Sequence, residues 1–146
     1  MGPSAVYRPS GQQPISVGVL RGLMVFDTAA LLFAGIVHLV GARIPLGVGT
    51  FVEPPLLPAG VVETLLGVVF AIAAYYAVRG LEHAWGWALG AHLGAIAGFI
   101  VGLYATSDGT TVFNHDYHVT MLAVFAVGLL LLLFPEARDG LGYGDR

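Results

Sequence analysis

The chain has 146 residues, one domain's worth, of which 57 % are hydrophobic and 10 % charged, with a net charge of −3. An ordinary soluble domain is roughly 25 % charged, so this chain has too few charges to cover a water-facing surface, and its acidic balance gives no footing for nucleic-acid binding. There is no cysteine, which removes disulfides, thiol redox chemistry, Fe–S clusters and Cys-ligated zinc; all six cations are arginines, which fits a GC-rich prokaryotic genome.

The apolar residues fall into four blocks of about the length that crosses a bilayer. Residues 1–16, with three prolines, two glycines and two glutamines in the first fourteen positions, read as a disordered cytoplasmic tail. Span one is expected over 17–41. It is not a cleaved signal, because the apolar run is too long for an h-region and contains Asp27 and His38. Pro45, Gly47, Gly49, Pro54 and Pro55 mark a loop. Span two follows over 56–78, with Pro58 in its first turn, where a missing N–H costs nothing. Arg79, Gly80 and Glu82 form a tight turn. Span three is expected over 85–105, Thr106 to Asn114 form a polar loop, and span four runs over 115–134 until Pro135 stops it. Residues 136–146 are a second cytoplasmic tail. The expected fold is therefore all-α: an integral membrane four-transmembrane-helix bundle within residues 17–135.

The arginines orient it. Arg8, Arg21, Arg79, Arg138 and Arg146 fall on one side and Arg43 alone on the other, which predicts both termini inside, N-in/C-in, in a prokaryotic cytoplasmic (inner) membrane. Trp85, Trp87, Tyr75 and Tyr76 suit interfacial anchors at the inner ends of spans three and two.

Span three carries Gly86, Gly90, Gly94, Gly98 and Gly102, one every four residues. In lipid such a small-xxx-small ridge lets another helix approach closely. The partner is either a neighbouring span of this chain or, in a homo-oligomer or larger membrane complex, another chain.

Ionisable groups at membrane depth are costly and point to function by default. Asp27 and His38 project from one face of span one, Glu63 lies in span two, His92 in span three, and His115 and His118 stand at i and i+3 in span four. A rise of about 1.5 Å per residue sorts them into two layers. His38, Glu63, His118 and His115 form an outer layer. Asp27 and His92 meet deeper, as a buried hydrogen-bonded pair or proton relay. The His/Glu set suits a metal such as Zn, Cu or Fe; two histidines on different helices suit haem b; an acid–histidine ladder suits a quinone head group or proton transfer. A competing reading is that the groups bond one another and only fix the helices' register.

The segment FAGIVHL, a proline-rich loop, and then LLPAGVVETLLGVVFAIAA resemble, over about residues 20–78, the DoxX-like small four-helix membrane proteins. In that group the first helix carries a small-Gly-x-x-[HK]-L element and the second a Glu followed by a Gly-rich apolar run; His38 and Glu63 stand at the matching positions. NHDYH in span four does not fit the pattern. The resemblance implies a subunit linked to membrane redox complexes and quinone oxidation. Taken together, the sequence leads to a small membrane protein with an intramembrane His/Glu site near the outer face, binding a metal, haem or quinone in a redox process. The alternatives are a non-catalytic accessory subunit docked through the glycine ridge, and a proton or ion transporter. The lack of inverted repeats and broken helices counts against the transporter.

Overall fold

The computed structural model describes residues 14–47, 49–105 and 111–142. It contains α1 (Ile15–Val40), β1 (Ala42–Pro45), β2 (Thr50–Glu53), α2 (Leu57–Arg79), α3 (Ala84–Ala105), α4 (Val112–Leu133) and a short α5 (Pro135–Gly140). The first four helices hold 26, 23, 22 and 22 residues and are each long and apolar enough to cross a membrane. At about 1.5 Å per residue the shortest reaches ~33 Å, against a hydrocarbon core of ~30 Å. Their outward faces are apolar as well: Phe33, Leu65, Val101 and Leu130 are between 60 % and 65 % exposed. A soluble protein would place polar residues there, so this surface is one for lipid.

Local chemistry sets the boundaries. Gly41, at φ 74°, ends α1. Gly80 ends α2 in the left-handed conformation, its N–H returning to the carbonyls of Ala77 and Tyr76. His83 also has positive φ, 67°, in the turn that leads into α3. Thr111 caps α4, its hydroxyl accepting from the Asn114 N–H at 3.1 Å. Pro135 starts α5.

Several expectations shift. Ile15 and Ser16, assigned to the N-terminal tail, are helical, while residues 1–13 lie outside the described residues. The loop after α1 is an antiparallel hairpin pairing Ala42 with Glu53 and Pro45 with Thr50, so the fold is not purely helical. Helix α4 begins at Val112, so the segment from Val112 to Asn114, read as loop, is its first turn; residues 106–110 lie outside the described residues. Residues 136–140 are not a free tail but belong to α5. Ala137 and Leu141 are buried there, and Gly140 sits against Val17 of α1. Trp85 is tied down at the same end. Its indole Nε1 donates to the Leu132 carbonyl at 3.0 Å, and the Arg138 guanidinium lies 5.5 Å from its ring centroid. Residues 143–146 lie outside the described residues.

The helices pack in chain order, α1 on α2, α2 on α3 and α3 on α4, with a lighter α1–α4 seam. The closest backbone approach is between α1 and α2, not along the span-three ridge. A Cβ on Gly35 would stand 2.9 Å from the Thr64 nitrogen, one on Gly60 2.8 Å from the Leu39 nitrogen, and one on Gly67 3.1 Å from the Leu32 nitrogen. On α3 only part of the ridge meets this chain. A Cβ on Gly94 or Gly98 would touch Leu66 at 3.9 or 3.3 Å, one on Gly102 would touch His118 Nε2 at 3.1 Å, and one on Gly86 or Gly90 would meet nothing within 4 Å.

Candidate functional site

The antiparallel α1–α2 pair sets the last turn of α1 beside the second turn of α2, and at this end, with the hairpin, four ionisable side chains gather. His38 and Glu63 are both 2 % exposed and make a direct hydrogen bond, Nδ1 to Oε2, at 2.5 Å. The other ring nitrogen of His38, Nε2, lies 3.7 Å from Glu53 Oε1 on β2. The second Glu63 oxygen, Oε1, lies 4.0 Å from His118 Nε2 on α4. The Thr111 hydroxyl donates to Glu53 Oε2 at 2.8 Å, which fastens the hairpin to the head of α4.

The hydrogen bonds fix the direction of each imidazole. His118 Nδ1 donates to the Asn114 carbonyl at 2.8 Å. A carbonyl only accepts, so Nδ1 carries the proton and Nε2 is turned toward Glu63. His38 is wedged between two carboxyl groups, one at each ring nitrogen. An imidazole so placed can take a proton on one nitrogen and release it from the other. Three buried atoms here have no partner: His38 Nε2, Glu53 Oε1 and Glu63 Oε1.

A cavity of about 400 Å³ opens beside it between α2, α3 and the head of α4, lined by Pro58, Val62, Glu63, Gly98, Gly102 and His118 among others. Its rim residues Val62 and Val101 are exposed on the helix surfaces that would meet lipid. Gly98 and Gly102 present no side chain to it, so this part of the ridge makes room instead of closing it. The walls are apolar, and Glu63 and His118 provide the polar groups.

Of the residues predicted for the outer layer, the structure brings His38, Glu63 and His118 together. His115 does not join them: its side chain is 56 % exposed and faces Asp116 at 3.3 Å. An i, i+3 spacing separates two side chains by ~60° around a helix, enough to turn His115 outward while His118 points in. Glu53 and Thr111 belong to the site and were missed. Glu53 is the one acid in the Gly/Pro-rich loop, and the β-branched and aromatic run Thr50, Phe51 and Val52 before it was the available signal for a strand.

Deeper, Asp27 and His92 are fully buried and face each other, Oδ2 to Nε2, at 3.9 Å, too long for the direct hydrogen bond expected of them. His92 Nδ1 donates to the Ala88 carbonyl at 2.7 Å, and Phe70 stands edge-on at 5.0 Å. Among the described residues no group of three His, Asp or Glu side chains is arranged to hold a metal ion. No family model, curated protein or solved structure matches the chain.

Proposed function

We propose that this protein is a multi-pass membrane protein that takes a lipophilic molecule of the quinone class from the bilayer into the α2–α3 cavity. There the molecule would exchange protons with Glu63 and His118. The observation that carries this is an apolar cavity beside a lipid surface with a carboxyl and an imidazole among its lining groups. Such pockets bind molecules whose body is apolar and whose orientation is set by a few polar atoms. His118 Nε2 can accept from a quinol hydroxyl, and Glu63 Oε1, otherwise unpaired, can accept another or, protonated, donate to a quinone carbonyl. Glu63, His38 and Glu53 then offer the proton a way to the hairpin end. The likeness of residues 20–78 to DoxX-like proteins points the same way. The arginine distribution supports both termini inside a prokaryotic inner membrane, with the hairpin outside.

The other ligands fit less well. A bis-histidine haem needs a ring nitrogen from each of two histidines, and both nitrogens of His38 already face carboxyl groups. For a metal, no group of three His, Asp or Glu ligands is assembled among the described residues.

Solvent extraction of protein purified in mild detergent, followed by chromatography, tests the proposal. The parent should carry quinone above the level of an unrelated membrane protein, and Gly98→Leu, which fills the cavity, should lose it. Background-level quinone in the parent, together with no binding of an added short-chain quinone, would sink the idea. A second reading, an accessory subunit, is favoured by the open Gly86 and Gly90. It requires that Gly90→Leu change the mass of the detergent-solubilised assembly by light scattering.

A further inference from the structure

The two polar side chains on the cavity wall have a defined hydrogen-bond polarity, and it is the same for both. His118 Nδ1 donates to the Asn114 carbonyl at 2.8 Å, so in the neutral ring the remaining nitrogen, Nε2, is a bare acceptor. Glu63 Oε2 and His38 Nδ1 are joined by a hydrogen bond of 2.5 Å. Whichever of these two atoms owns the hydrogen, it lies between them, and the other carboxyl oxygen, Oε1, is left as an acceptor. Oε1 and Nε2 stand 4.0 Å apart. A ligand carbonyl brought to this pair finds no hydrogen and stays unpaired, which is costly away from water. A ligand hydroxyl brings the hydrogen with it.

Local packing holds this polarity in place. Phe99 lies against the His118 ring, with centroids 4.7 Å apart, and together with the Asn114 carbonyl it fixes which edge of the imidazole turns to the cavity. Gly102 leaves that edge uncovered, since a Cβ there would stand 3.1 Å from Nε2. Charging the ring would make Nε2 a donor, but it would put a cation among Val62, Phe99 and Val101. Its nearest carboxylate oxygen among the described residues, Glu63 Oε1, is 4.0 Å away, too far for a hydrogen bond. Apart from Glu63 and His118, none of the lining residues has a polar side chain. A ligand with oxygens at opposite ends of a ring therefore presents only one of them to a polar side chain.

We propose that the cavity selects the reduced, quinol form of its ligand and holds it by a single hydroxyl, donated to His118 Nε2 beside Glu63 Oε1, with the second oxygen among apolar walls. The inference rests on the quinone-class reading above and adds the redox state and the end of the molecule that is gripped. Tighter binding of the reduced form raises the midpoint potential of the bound couple above that of the free one, by ~30 mV for each tenfold preference in a two-electron couple.

Anaerobic equilibrium dialysis of the detergent-solubilised parent tests this with four short-chain probes: a 1,4-benzoquinone, its quinol, the quinol monomethyl ether and the dimethyl ether. Gly98→Leu, which fills the cavity, gives the background from partition into micelles. The quinol should bind at least about tenfold more tightly than the quinone, because only the quinol pairs with His118. The monomethyl ether should match the quinol to within about threefold, and the dimethyl ether should bind no better than the quinone. A monomethyl ether as weak as the dimethyl ether overturns the single-hydroxyl grip. Saturable binding of quinone as tight as that of quinol, or tighter, overturns the selection and leaves the cavity reading standing. No saturable binding of any probe sinks both, so the two proposals fail distinguishably.

Discussion

Replacing Gly35 by alanine adds one carbon at the tightest point between α1 and α2. That carbon would stand 2.9 Å from the Thr64 nitrogen and 3.2 Å from the Gly60 carbonyl oxygen, and would overlap the Thr64 hydroxyl. The hydroxyl can rotate, although it would give up its 2.7 Å bond to Gly60; the two backbone atoms cannot. Ordinary van der Waals contact begins at 3.4 Å, so restoring it needs the helices to part by 3.4 − 2.9 = 0.5 Å. Overpacking of this kind costs about 1–3 kcal/mol. His38 is one turn along from Gly35, and Glu63 adjoins Thr64, so the same displacement pulls on the 2.5 Å His38–Glu63 hydrogen bond. Gly86→Ala is the control: its new carbon meets nothing within 4 Å among the described residues, and alanine is favoured over glycine within a helix by ~0.5–1 kcal/mol. Unfolding in mixed micelles by titration with a denaturing detergent should therefore place Gly35→Ala below the parent and Gly86→Ala at or above it. Equal stabilities for the two variants would show that the α1–α2 seam is not the close contact described here.

Three further outcomes follow from the site. Glu63→Ala leaves His38 Nδ1 buried without its carboxyl partner and should cost about 3–5 kcal/mol, whereas His38→Leu combined with Glu63→Leu should cost less than the two single losses together, because the hydrogen-bonded pair is then removed whole; the same unfolding titration compares them, and an additive loss would contradict the pairing. Thr111→Val removes both the α4 cap and the bond to Glu53, with an expected loss of ~1–2 kcal/mol and faster amide exchange in residues 50–53 by mass spectrometry. Trp85→Phe keeps an aromatic ring but loses the indole bond to Leu132, so α5 should become more open to protease by an amount matching ~1 kcal/mol, with the hairpin unaffected.

The four spans were legible because they rest on composition and length, which in lipid decide the class of structure almost alone. Their boundaries were legible in part: Pro58 marks a helix start and Pro135 the end of span four by what proline cannot do, but that Pro135 also opens α5 was not read, and Thr111 was passed over because a threonine in a polar stretch looks like any loop residue. The meeting of His38, Glu63 and His118 was readable as a matter of depth, since a helix converts residue count into height. Azimuth was harder. His115 and His118 share a face only loosely, and burial, which no spacing encodes, separated them. Glu53 escaped because a hairpin is a long-range pairing, and its inward side follows from register, which composition does not reveal.

The glycines teach the sharpest physical distinction. Periodicity pointed to α3, where five recur at intervals of four, yet the backbones come closest where Gly35 meets Gly60 and Thr64, with no regular repeat to announce them. A repeat describes one helix; a close contact needs small residues on two helices at matching heights. Gly35 and Gly60 satisfy that condition and hold α1 to α2, which brings His38 to Glu63. On α3 the glycines at 98 and 102 face a side chain or open space, and what they contribute is volume. Seen this way, packing and function divide the glycines between them: one set closes the seam that aligns the ionisable pair, and the other keeps open the cavity beside it.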